Sequence, residues 1–113
     1  MNSLTRFVII AALLTSLPAG AEVDGHQLLR FQQEADAFNA EHPEANLYRA
    51  GFFGGYLSGM LDALEGRSVC FKVCRCELDA KVADYLRDHP AELDRPVATW
   101  LVKLLEDSYP CLR

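Results

Sequence analysis

The chain has little that would carry it into a membrane or onto nucleic acid. Two uncharged apolar stretches, Phe7 to Leu14 and the twelve residues between Arg49 and Asp62, are each too short to span ~30 Å of hydrocarbon as a helix. It has 11 Lys and Arg against 16 Asp and Glu. That acidic balance, without aromatic–basic interleaving, argues against nucleic acid as a partner and gives no attraction to anionic lipid. Chemistry-bearing motifs are missing too. No nucleophile elbow, phosphate loop or H-E-x-x-H occurs. No alternating pattern long enough for a strand is present, and no internal repeat or low-complexity segment appears.

The amino end begins "MNSLTRFVIIAALLTSLPAGAEV". Arg6 supplies a positive start, the apolar run follows, and Pro18 breaks it. Ala19-Gly20-Ala21 has the small-x-small form of a cleavage site. Residues 1–21 therefore read as a secretory signal peptide cut before Glu22, with no membrane attachment afterwards. The remaining single domain, residues 22–113, carries 10 basic and 16 acidic residues, a net charge of −6. A domain of that size buries only about 60–65% of its unfolded surface, so added cross-links are expected.

Hydrophobic periodicity predicts four helices. Asp24 is placed to cap the first, in which Leu28, Phe31, Ala35 and Phe38 recur at helical spacing. Pro43 disfavours helical geometry at His42 and suits the first turn of a second helix ending near Glu65, with Gly66 as its stop. Leu78, Val82, Tyr85 and Leu86 mark a third helix that stops before Pro90. Val97, Trp100, Leu101, Leu104 and Leu105 mark a fourth, with Asp94 as its cap and Pro110 as its end. The expected fold is all-α, a compact four-helix domain stapled by disulfides.

The second helix carries an unusual stripe: Gly51, Gly55 and Gly59 lie four residues apart, and Ala63 continues the series. Each glycine costs a helix interior roughly 1 kcal/mol relative to alanine. The stripe is accordingly read as a helix-packing face, approached closely by another helix of the chain or of a homodimer partner. Bulky residues on the other faces imply a central helix with neighbours on several sides. The alternative is a helix broken at Gly54-Gly55.

The four cysteines are Cys70, Cys74, Cys76 and Cys111. Three thiolates with His89 or Cys111 would make a metal set, but the spacing lacks the paired C-x2-4-C of zinc sites and export favours oxidation. A redox-active C-x-C is the other alternative, without a thioredoxin-like βαβ pattern around it. Two structural disulfides and no metal or cofactor are expected. Their pairing stays open. Cys70–Cys111 leaves Cys74–Cys76, a small and strained ring; Cys76–Cys111 leaves Cys70–Cys74, one helical turn apart and geometrically easier. His42 and His89 both precede proline and suit helix ends better than acid–base work, so no catalytic residue is assigned and an enzyme is not expected.

"GGYLSGMLDAL", with Gly55, Tyr56, Gly59 and Asp62, resembles the Gly-Tyr-x-x-Gly-x-x-Asp helix of the Rap/Tai type of immunity proteins. The second half resembles the same family: Tyr85-Leu86, then His89-Pro90, then an amphipathic helix ending in Tyr109-Pro110-Cys111. Phe53 stands where the family commonly has a cysteine, and Cys74 and Cys76 look like additions. The resemblance implies a periplasmic helical protein of a Gram-negative bacterium. It also implies a cognate protein partner, a peptidoglycan-cleaving amidase effector of type VI secretion, which it inhibits. The alternative is a general periplasmic binding or chaperone-like module without a specific toxin partner.

For the partner surface, two loops flanking the third helix stand out. One holds Arg67, Phe71, Lys72 and Arg75, a basic patch on an acidic protein with Phe71 as an anchor. The other holds Glu92, Asp94 and Arg95.

Overall fold

Asp24 starts the first helix as the sequence predicts. Its carboxylate accepts from the Gln27 backbone N–H (2.8 Å), and the Gln27 side chain accepts from the Asp24 N–H (3.1 Å). This reciprocal box satisfies donors that a helix start leaves unpaired. The computed structural model describes residues 22–112; the signal peptide read over residues 1–21 lies outside the described residues. Four α-helices follow in order: α1 (Gly25–Asn39), α2 (Leu47–Leu64), α3 (Arg75–Asp88) and α4 (Val97–Ser108). A 3-10 turn, Pro90–Glu92, separates α3 from α4. Among the described residues there is no strand, only three isolated bridges.

Two helix starts differ from expectation. Pro43 lies in a turn, and α2 begins at Leu47 behind Asn46. Asn46 is the stronger cap: its side chain accepts from the Arg49 N–H (3.0 Å), while its own N–H donates to the Glu34 carboxylate (2.8 Å). Asp94 does not cap α4. Pro96 takes that position, and Asp94 lies 2.9 Å from His26 Nε2 instead. A long-range partner has displaced the local role.

α2 runs unbroken through Gly54-Gly55. Phe53, Leu57 and Leu61 form its buried stripe. Gly51, Gly55 and Gly59 are each offset by two residues from that stripe, about 200° around a helix of 3.6 residues per turn. They therefore face outward, and Ala63 with them. A Cβ built on Gly51, Gly55 or Gly59 meets no atom within 4 Å. The expectation of a close helix neighbour within the chain, and of a helix surrounded on several sides, is thus corrected: one face of α2 is open. Gly66, at φ +75°, stops the helix in the left-handed region that glycine tolerates.

Leu28 from α1, the α2 stripe, Leu78, Val82 and Leu86 from α3, and Val97, Trp100, Leu101 and Leu105 from α4 form one core. Val69 in the loop after α2 is fully buried within it. The loop is held to the carboxyl end by the Cys70 N–H donating to the Tyr109 carbonyl (2.9 Å) and by the Cys70–Cys111 disulfide. The second disulfide is Cys74–Cys76. On the chain-entropy account, a link across 41 residues contributes about 4 kcal/mol, and a two-residue link less than half as much.

The close backbone approach sought on α2 occurs at the start of α1. Gly25 is buried, and a Cβ on it would stand 2.5 Å from Leu93 Cα. Here the first N–H groups of α1 find their acceptors: Gly25 donates to the Arg95 carbonyl (3.2 Å) and His26 to the Leu93 carbonyl (3.1 Å).

Candidate functional site

Gly66–Cys74 forms a short, tightly held loop at the amino end of α3. Gly66 N–H donates to the Val69 carbonyl (2.8 Å), and Phe71 N–H donates to the Glu65 carboxylate (3.0 Å). With Val69 in the core and Cys70 bonded to Cys111, the loop has little freedom to reorganise. Arg67, Lys72 and Val73 are exposed on it, and exposed Leu112 follows Cys111 in the adjoining chain end.

The structure reassigns two residues of this predicted surface. Phe71 packs edge-on against Tyr109 at a centroid distance of 4.9 Å and is half-buried at the margin of the core. It braces the loop and does not project from it. Arg75 is directed inward along α2: its guanidinium donates to Asp79 (3.1 Å), the Ser58 hydroxyl (2.6 Å) and the Gly54 carbonyl (2.6 Å). Its charge is thereby spent on holding α3 to α2, and the exposed cations of the loop are Arg67 and Lys72.

Glu92, Asp94 and Arg95 lie at the other end of α3. The helix has 14 residues, so about 21 Å of rise separates the two loops. They do not merge into one patch. Arg95 donates twice to the Glu92 carboxylate (3.0 and 2.8 Å), and Asp94 faces His26. The Arg95 and Glu92 charges answer one another within the loop, and the Asp94–His26 contact ties it to α1.

The remaining histidine of interest is also structural. His89 stacks on Tyr85 at 3.9 Å, its Nδ1 lies 3.0 Å from the Tyr85 carbonyl, and Tyr85 in turn stacks on Trp100 at 4.6 Å. Burial, followed by the Glu92 carboxylate, pushes the Tyr85 phenol above its ordinary range. Burial likewise raises Tyr109, with Glu77 adding to it, and burial raises Tyr56. Among the described residues no cluster of three or more His, Cys, Asp or Glu could hold a metal ion, and no helix is long and apolar enough to cross a membrane.

A third surface was not read from the sequence. Between α1 and α2 lies an open groove of about 440 Å³, with Phe53 in its lining and Phe38 and Leu47 at its sides. Phe38, placed in the core by its helical spacing, is 54% exposed; Leu47 is 66% and the neighbouring Tyr48 77% exposed. The signal was available in the composition of this lining. Ala35, Ala50, Gly51 and Gly54 are too small to fill the space between the helices.

A family model described as Rap1a immunity proteins matches residues 24–111. No curated protein and no solved structure matches the chain. The matched span runs from the capping Asp24 to the disulfide-bonded Cys111, and so takes in all four helices and both disulfides. On that match the chain belongs to the family of Rap1a immunity proteins.

Proposed function

We propose that this protein binds a peptidoglycan-cleaving amidase effector of type VI secretion and blocks its cleft in the periplasm. The observation that carries the reading is the family match across the whole helical domain. Such an inhibitor needs a rigid, shaped surface and no catalytic group of its own. The Gly66–Cys74 loop supplies one. It is braced by Phe71 on Tyr109 and locked by Cys70–Cys111, so little ordering cost falls on binding. Arg67 and Lys72 give charge for steering, and Val73 and Leu112 give exposed apolar contacts beside them. The 90–95 loop, with Glu92, Asp94 and Arg95, acts as a secondary contact at most, given its separation along α3.

The open glycine face of α2 is proposed as the surface for a second copy of the chain. Nothing projects from Gly51, Gly55 or Gly59 to hold a partner helix away.

A second reading has its own support. The exposed apolar groove at Phe38, Leu47 and Tyr48 suits a general binding module that accepts apolar segments of many proteins. Co-purification separates the two. The protein is expressed from Glu22 onward with an amidase encoded beside its gene and, separately, with unfolded model substrates. A stoichiometric complex with the amidase alone supports the immunity reading; equal capture of unfolded substrates supports the other.

A further inference from the structure

The two disulfides differ in loop length and in exposure. Cys70–Cys111 closes 41 residues and is half-buried beside Val69 and Tyr109. Cys74–Cys76 closes two residues, and both of its cysteines are exposed. A link across so short a loop contributes little to the stability of the fold, so losing it costs the folded state little. Exposure adds access for an attacking thiolate.

The position of the pair adds direction. Cys74 is the N-cap of α3 and Cys76 the second residue of the helix. In the oxidised form the cap makes no side-chain hydrogen bond. A free Cys74 thiolate at that position accepts from the first-turn N–H groups of α3 and sits at the positive end of the helix. Glu77 in the same turn opposes this, while the Lys72 ammonium two residues before the cap favours it. Reduction therefore supplies a cap that the disulfide withholds. The fold does not depend on the link, because Arg75 between the two cysteines holds the start of α3 to Ser58 and Gly54 independently.

We propose that Cys74–Cys76 is a thiol–disulfide exchange site that takes two electrons from a thiol reductant while Cys70–Cys111 stays closed. A reductant thiolate attacks Cys76 Sγ. A mixed disulfide forms there, the Cys74–Cys76 bond breaks, and Cys74 leaves as the thiolate stabilised by α3. A second reductant thiolate then attacks the mixed disulfide, releasing Cys76 as a thiol after protonation by water and leaving the reductant oxidised to its disulfide. The inference stands apart from the identity of the effector.

The test uses protein expressed from Glu22 onward, equilibrated anaerobically in glutathione redox buffers, alkylated and analysed by peptide mass spectrometry. The expected result is that Cys74 and Cys76 become alkylated together at a reducing ratio at least 100-fold below that needed for Cys70 and Cys111, about 60 mV for a two-electron couple. Helical circular dichroism stays unchanged across that first step. Reduction of both disulfides over one range, or of Cys70–Cys111 first, overturns the proposal. Single-cysteine variants test its direction. In Cys76→Ser, alkylation of Cys74 should have a pH midpoint at least one unit below that of Cys76 in Cys74→Ser, and the reverse order overturns the assignment of Cys74 as leaving group.

Discussion

A Cβ on Gly25 would lie 2.5 Å from the Cα of Leu93. No side chain at position 25 fits without moving backbone, because the contact is with the main chain of the 3-10 turn and not with a flexible tip. The same contact aligns the first N–H groups of α1 with the Leu93 and Arg95 carbonyls. Gly25→Ala is thus expected to destabilise the protein by about 1–3 kcal/mol, despite the better helix propensity of alanine. For a domain of this size each 1 kcal/mol lowers Tm by about 4–8 °C, which calorimetry reads directly.

Gly55→Ala should act in the opposite direction. Its Cβ meets nothing within 4 Å, so the intrinsic preference of the helix decides, and stability of the monomer rises by up to about 1 kcal/mol. Urea unfolding of the two alanine variants side by side measures the contrast. A loss at Gly55 equal to that at Gly25 in the monomer means that a helix of the same chain does press on the stripe.

Arg75→Met removes two hydrogen bonds from α3 to α2, at Ser58 and Gly54, and one within α3, at Asp79. Bonds to a charged donor contribute more than neutral ones, and the site is partly exposed, so an overall loss of about 1–3 kcal/mol is expected. Arg75→Lys should not restore it, because one ammonium cannot reproduce the planar fork that reaches Asp79, Ser58 and Gly54 together. Equal unfolding midpoints for wild type and Arg75→Lys in urea would show that the fork is not required.

Alkaline pH should unfold the protein through its tyrosines. Tyr85, Tyr109 and Tyr56 are each raised above the ordinary value near 10, burial being the leading cause. The folded state therefore keeps phenol protons that the unfolded chain releases first. Stability from these groups is complete below pH ~10 and is lost as pH rises toward the folded-state values. Phenolate absorbance and far-ultraviolet circular dichroism recorded together should show late-titrating tyrosines ionising with loss of helix.

Much of the fold is legible in the sequence because it depends on local signals. The four apolar periodicities, the Asp24 cap and the Gly66 stop each lie within one or two turns of the residues they control. The rest depends on contacts between distant segments. Asp94 has a respectable capping sequence but meets His26, 68 residues away. Arg75 looks like part of a basic patch until Ser58 and Gly54, 17 and 21 residues earlier, claim it. Glycine carries no label for the reason it is there. Spacing singled out the α2 stripe, whereas the glycine under real steric demand was Gly25, whose neighbour Leu93 cannot be inferred from periodicity. The pairing of the cysteines was open for a related reason, since the distance from Cys70 to Cys111 is set by the whole bundle. In the loop after α2 the exposure of Arg67 and Lys72 was legible, but not the brace formed by Phe71 and Tyr109.

Charge reversal at Arg67 and Lys72 together should slow association with the effector about tenfold at low salt and change dissociation little, because rim charges act mainly on encounter. Surface plasmon resonance at two ionic strengths separates the rates. An unchanged association rate at low salt moves the contact away from the Gly66–Cys74 loop.

The central claim is inhibition, and titrating peptidoglycan cleavage tests it most directly. The amidase encoded beside the gene is held at fixed concentration while the protein, expressed from Glu22 onward, is added. Release of cleaved peptides should fall linearly and stop near equimolar protein, as expected for a tight inhibitor that occupies the cleft. Full cleavage at a large molar excess, with no complex detected at micromolar concentration, would contradict the account.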